Sequence, residues 1–188
     1  MLGPLFPELL AAAQGGDEQA FAVLWRDLQP AVLRYFQVVA REAAEDLAAD
    51  TWVSVIRGLG RFRGDEQAFR AWIFTVARHR GIDWRRQATR RPTSPVPVEH
   101  LAERPAPDDP VAAVLEAQST RAALALLAEL PPDQAEVVAL RVLGGLDVAE
   151  VARIVGKRPS AVRVLAHRGL RRLARQVEAA GLARGVTR

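Results

Sequence analysis

The chain has 188 residues, 49% hydrophobic and 26% charged, with a net charge of +4 and no cysteine. That length holds one compact domain or two small ones, and the missing thiols exclude a disulfide scaffold, a Cys-ligated metal and a cysteine nucleophile. His79, His100 and His167 are far apart, no basic residue precedes the short apolar stretch at 9–13, and no uncharged apolar run nears the roughly 18 residues of a membrane span, so a cytoplasmic protein without metal or cofactor is expected.

Asp17 and Glu18 open the first expected helix, acidic where the helix dipole favours acid, and Phe21, Leu24, Trp25 and Leu28 recur along it at helical spacing. Pro30 is expected to end it and to begin a second stretch at 31–40. A third helix is expected over about 42–56, stopping near Gly58 and Gly60, and a loop at 61–66 leads into a fourth over about 67–86. Residues 91–110 then hold six prolines. Each removes a backbone donor and restricts its predecessor, so a semi-extended linker is expected, acidic because Arg104 is outnumbered by Glu99, Glu103, Asp108 and Asp109. Beyond it, residues 114–130 read as a helix ended by Pro131 and Pro132. Asp133 is expected to cap a helix to about Leu143, and Gly144-Gly145 to turn the chain. Asp147 and Glu150 have capping-box spacing. They start a short helix to about Ile154, followed by a turn through Gly156 and a longer helix from a Ser160 cap to about Arg175. The fold class is therefore all-α: two small helical domains, 1–91 and 114–180, joined by a flexible Pro-rich acidic linker at 92–113.

A short helix, a glycine turn and a longer basic helix make a helix-turn-helix pattern. Eight basic residues and no acidic one lie between Arg153 and Arg175. Arg163, His167 and Arg171 share a stripe, with Arg168 nearby, while Val162, Leu165, Ala166 and Leu173 fall on the core side. Such a helix can enter a DNA major groove while arginines meet phosphates. In the first domain, Trp72 and Trp84 alternate with Arg78, Arg80, Arg85 and Arg86. Arginines bind a sugar-phosphate backbone, and aromatic faces stack on unpaired bases. A tryptophan at helical spacing, taken singly, is more often part of a core than a base platform.

Taken together in order, these segments resemble the extracytoplasmic-function (ECF) sigma factors of the bacterial sigma-70 family. The run Ala44-Glu45-Asp46-Leu47-Ala48-Ala49-Asp50-Thr51-Trp52 is similar to that family's polymerase-binding helix. Phe62-Arg63-Gly64-Asp65 through Phe69, Trp72-Ile73, Val76-Ala77-Arg78-His79 and Ile82-Asp83 follow its promoter-melting pattern. Leu130-Pro131-Pro132-Asp133-Gln134, Val137 to Arg141 and Gly145-Leu146 match the lead-in to its −35 domain, and Val162-Arg163 with His167-Arg168 match the recognition helix. The resemblance implies polymerase binding by Asp46, Asp50, Trp52 and Val53. It implies −10 recognition and melting by Phe62, Arg63, Asp65, Phe69, Trp72, Arg78, His79, Asp83, Trp84, Arg85 and Arg86, with a flipped base held in the loop at 61–69. It implies −35 reading by Arg158, Ser160, Arg163, Val164, His167, Arg168 and Arg171.

The implied partners are the RNA polymerase core, through the β′ clamp helices and the β flap, promoter DNA both duplex and single-stranded, and an anti-sigma factor, with no membrane insertion. The acidic linker would thread towards the polymerase active centre as a nucleic-acid mimic. The sequence departs from the family at Ala49, where Gln is frequent, at Trp52, where Phe is usual, and at Ala161, Val164 and Leu165 of the recognition helix. Val164 cannot hydrogen-bond a base edge but can pack on a thymine methyl, so a shifted −35 preference is expected.

A stand-alone helix-turn-helix regulator, dimerising through its first domain, is the alternative; it predicts tight duplex binding without polymerase. An enzyme fares worst. The chain has no Gly-rich phosphate loop and no nucleophile grouping, and Asp46 with Asp50 lack a third metal ligand nearby.

Overall fold

The computed structural model describes residues 2–90 and 110–179 together with Gly181. All regular structure among the described residues is helical. After a 3-10 turn at Gly3–Leu5 come α1 (Phe6–Gln14), α2 (Glu18–Val39), a second 3-10 turn (Arg41–Ala43), α3 (Ala44–Leu59) and α4 (Glu66–Arg90). The C-terminal part contains α5 (Pro110–Ala128), α6 (Pro132–Val142), α7 (Val148–Val155) and α8 (Pro159–Ala179). Most of the expected linker, with its four carboxylates, lies outside the described residues. Its last four positions belong to α5, which starts on Pro110, a residue whose missing N–H costs nothing in a first helical turn.

Pro30 does not divide the first long helix: α2 runs through it without a break. The proline is exposed, and so is Arg26, whose carbonyl loses its helical donor to the ring and can turn to water. On the opposite side Leu24, Leu28, Val32, Tyr35 and Phe36 are all buried. At about 1.5–3 kcal/mol for each large apolar side chain, that burial outweighs a penalty of about 3 kcal/mol for an internal proline.

Helix α1 was not among the expected elements. Phe6, Leu10 and Ala13 form its buried side, and the Phe6 ring lies 5.4 Å from that of Phe69. Gln14 Nε2 donates to the carbonyls of Leu59 and Phe62, both at 2.9 Å, tying α1 to the loop that precedes α4. The Leu2 and Gly3 amides donate to the Glu66 carboxylate at 2.7 and 2.9 Å, closing the same corner.

The capping box forms as its spacing requires. Asp147 Oδ1 accepts from the Glu150 amide and Glu150 Oε2 from the Asp147 amide, each at 2.7 Å. Gly156 ends α7 in the left-handed region at φ +67°. Ser160 is not the cap of α8, which already begins at Pro159; Asp133 likewise lies inside α6, behind Pro131 at the N-cap. Buried side chains form one continuous apolar cluster from α1 through α8. Helix α2 packs on α5 and α6, and α4 on α7, so the two helical groups share a seam.

Candidate nucleic-acid interface

Three faces collect the candidate residues. The first is the corner between α3 and α4. Phe62 stacks on Trp72 with ring centres 5.1 Å apart and planes 24° off parallel, and it meets Phe69 edge-on at 5.2 Å. Gly58 makes this possible, because a Cβ there would stand 2.8 Å from the Trp72 ring. Phe62 and Trp72 keep part of their surface in solvent, whereas Phe69 is 1% exposed and cannot stack on a base; it supports the other two rings. Asp65 is exposed and caps α4, its Oδ1 accepting from the Ala68 amide at 2.8 Å. Arg63 folds back on the Gly60 and Phe62 carbonyls at 3.0 and 2.6 Å, shaping the loop. Further along α4, His79, Asp83, Arg85 and Arg86 are exposed and Trp84 is half-buried. Arg78 is engaged, with Nε 3.1 Å from Glu136 Oε1.

The second face is on α3. Asp46, Asp50 and Val53 are exposed at i, i+4 and i+7, one side of a helix. Ile56, absent from the expected set, extends that side and is 55% exposed. Trp52 does not belong to it. Its side chain is 5% exposed, meets Phe21 edge-on and donates Nε1–H to Gln29 Oε1. The spacing Ala48, Trp52, Val55, Leu59 was the signal for the buried side.

The third face is α8. Arg158, Ser160, Arg163, Val164, His167, Arg168 and Arg171 are all exposed, and Val162 and Gly169 are buried. Gly169 lets α8 lie close on α6, since a Cβ there would meet Val138 Cγ2 at 2.7 Å. The helix therefore presents its basic side outward on a rigid support. Among the described residues no group of three His, Cys, Asp or Glu is placed to hold a metal, and no helix is long and apolar enough to cross a membrane.

An aromatic and arginine corner on one helical unit and an arginine-faced helix-turn-helix on the other define a two-part nucleic-acid-binding protein. Comparison with known proteins narrows this. Sigma-70 region 2 matches residues 24–91, and Sigma-70, region 4 matches residues 120–173. The ECF RNA polymerase sigma factor ShbA of Streptomyces griseus is 38% identical over 176 residues, covering 88% of this chain and 91% of ShbA. The ECF RNA polymerase sigma factor BldN of Streptomyces coelicolor is 36% identical over 170 residues; the match covers 89% of this chain but 64% of BldN. The sigma factor RpoE of Bartonella quintana, solved in complex with the anti-sigma factor NepR, shares the fold: TM-score 0.63, 22% identity, 84% of this chain and 96% of that one. The chain belongs to the ECF RNA polymerase sigma factors. Its two matched regions, in family order, leave the stand-alone regulator unfavoured.

Proposed function

We propose that this chain docks on the RNA polymerase core through the exposed α3 side of Asp46, Asp50, Val53 and Ile56. In that holoenzyme it reads −35 DNA with α8 and opens −10 DNA with the α3–α4 corner and α4. It has no catalytic activity of its own and works in the cytoplasm. The observation that carries this reading is the exposed basic side of α8, with Arg163, His167, Arg168 and Arg171, in one chain with an exposed acidic and apolar side on α3. Guanidinium groups match phosphate oxygens, and two carboxylates beside two aliphatic side chains suit a basic helical partner. An anti-sigma partner is proposed by analogy with the RpoE–NepR pair.

In vitro transcription with core polymerase and a genomic promoter pool tests the whole. The wild-type chain is expected to select promoters whose −35 element departs from the commonest family motif, given Val164. Asp46→Arg with Asp50→Arg should lower core affinity by at least tenfold while leaving the melting temperature within a degree or two. Tight duplex binding by the free chain, unchanged by adding core, would overturn the proposal. Return of the commonest motif unaltered would remove the role given to Val164.

A further inference from the structure

The carboxylate of Glu136 faces two arginines of α4. Arg78 and Arg85 lie on α4, in the part matched by region 2, and Glu136 lies on α6, in the part matched by region 4. Glu136 Oε1 accepts from Arg78 Nε at 3.1 Å and from the Tyr35 hydroxyl at 3.3 Å, and Arg85 Nη2 stands 4.0 Å away. Only 11% of the Glu136 side chain is exposed. A carboxylate so withdrawn from water is costly to bury without hydrogen-bonded, charged partners. These partners are supplied across the seam, by the other helical group. Beside them an open cavity of about 360 Å³ is lined by Arg78, Ile82, Arg85, Arg86, Asp133 and Glu136.

Two more contacts close the same seam. Gln67 Nε2 donates to Glu150 Oε2 at 2.7 Å and to the Gly145 carbonyl at 3.3 Å. Arg70 reaches the Gly144 carbonyl at 3.5 Å with one nitrogen while the other holds Asp27 at 3.2 Å. The faces proposed for polymerase and for −35 DNA stay outside this closure: Asp46, Asp50 and Val53 are exposed, as are Arg163, His167 and Arg168. The closed arrangement thus engages Arg78 of the melting helix, draws Arg85 to within 4.0 Å of the same carboxylate, and leaves the other two faces open.

We propose that Glu136 is an intramolecular nucleic-acid mimic, a latch that holds the two domains together and withholds Arg78 and Arg85 from single-stranded DNA until the domains part. The proposal rests on the reading of α4 as the melting helix. A guanidinium accepts a carboxylate and a phosphodiester by the same pairing of N–H donors with anionic oxygens, so the two compete for one site. A partner that binds only the parted arrangement shifts the equilibrium by its differential affinity, and the open α3 side gives polymerase a place to do so.

Because the chain has no cysteine, Glu8→Cys with Ala149→Cys installs a unique pair of spin labels on exposed positions of α1 and α7. Pulsed electron resonance on the full chain should show one narrow distance for the otherwise wild-type protein and a longer, broader distribution with Glu136→Gln. Fluorescence anisotropy with a labelled oligothymidylate, without polymerase, should show Glu136→Gln binding at least fivefold tighter. The gain should vanish when Arg78→Ala is added. Glu129→Gln, which removes an exposed carboxylate elsewhere, should bind as wild type. Tyr35→Phe, which keeps every charge and the ring packing, should move both readouts in the same direction by less. Unchanged distances in Glu136→Gln overturn the latch, and longer distances with unchanged oligonucleotide affinity overturn the masking of Arg78 and Arg85. Failure of the wild-type chain to support transcription with core polymerase overturns the sigma-factor reading instead, whatever the distances show.

Discussion

Tyr35 is the chain's one tyrosine and is fully buried on α2. Burial pushes its phenol far above the ordinary value of 10.0, and the Glu136 carboxylate beside it pushes the same way; Arg78 and Arg85 pull it down less strongly. A folded pKa above the unfolded one means this contribution to stability is fully present below pH 10.0 and is lost as pH rises beyond it. The near-ultraviolet phenolate band should therefore show no step near pH 10.0 in the native protein and should rise only with loss of helical circular dichroism. The urea-unfolded chain should titrate at the ordinary value. A native step there would place Tyr35 in water and remove the hydrogen bond to Glu136. Glu136 itself illustrates what a single residue hides in sequence. An acidic residue in a helix normally marks a solvated face, and only the approach of α2 and α4 from far along the chain makes this one a buried acceptor.

At the scale of the element, α7 has its start encoded twice. Asp147→Ala removes the cap on the Glu150 amide, which should cost about 1 kcal/mol. Glu150→Ala removes the reciprocal bond to the Asp147 amide and also the contact from Gln67 of α4, so it should cost about twice as much. Thermal melts followed by circular dichroism check the ordering; equal losses would mean the Gln67 contact contributes nothing. Signals of this kind were legible because they are local: the capping box, the turn at Gly156 and the apolar spacing of α8 each specify structure within a few residues. The continuity of α2 was not legible, because Pro30 is a local breaker and the burial that overrides it comes from other helices. Helix α1 carried its signal in Phe6, Leu10 and Ala13, but its N-cap, Leu5, makes no side-chain cap. Of the candidate site, the exposed sides of α3 and α8 follow from charge at helical spacing. Trp52 and Phe69, brought into the site by the resemblance, are buried, because their large rings are worth more in a core than in water.

For the whole molecule, a net charge of +4 divides into +2 for residues 1–91, −3 for 92–113 and +5 for 114–188. Two positive bodies would repel, so their joining at the seam needs specific opposite pairs as well as apolar contact. Glu136 facing Arg78 is one such pair, and the reach of Arg70 to the Gly144 carbonyl is another tie. Arg70 is 8% exposed, and its other nitrogen holds Asp27, so a single guanidinium links α2, α4 and the turn after α6. With one apolar cluster running through all eight α-helices of the described residues, the two domains should unfold together, giving one calorimetric transition whose van't Hoff and measured enthalpies agree. Arg70→Met keeps the packing of the stem and removes the charge. It should lower stability by about 2–4 kcal/mol, because a partly buried Asp27 loses an ion-pair partner and a buried carbonyl loses its donor. If the seam couples the domains, that loss appears in the shared transition, and the C-terminal helices melt earlier although Arg70 is not among them. Two separate transitions in the wild-type chain, with Arg70→Met moving only one, would show instead that each domain stands by itself and that the seam is too weak to latch anything.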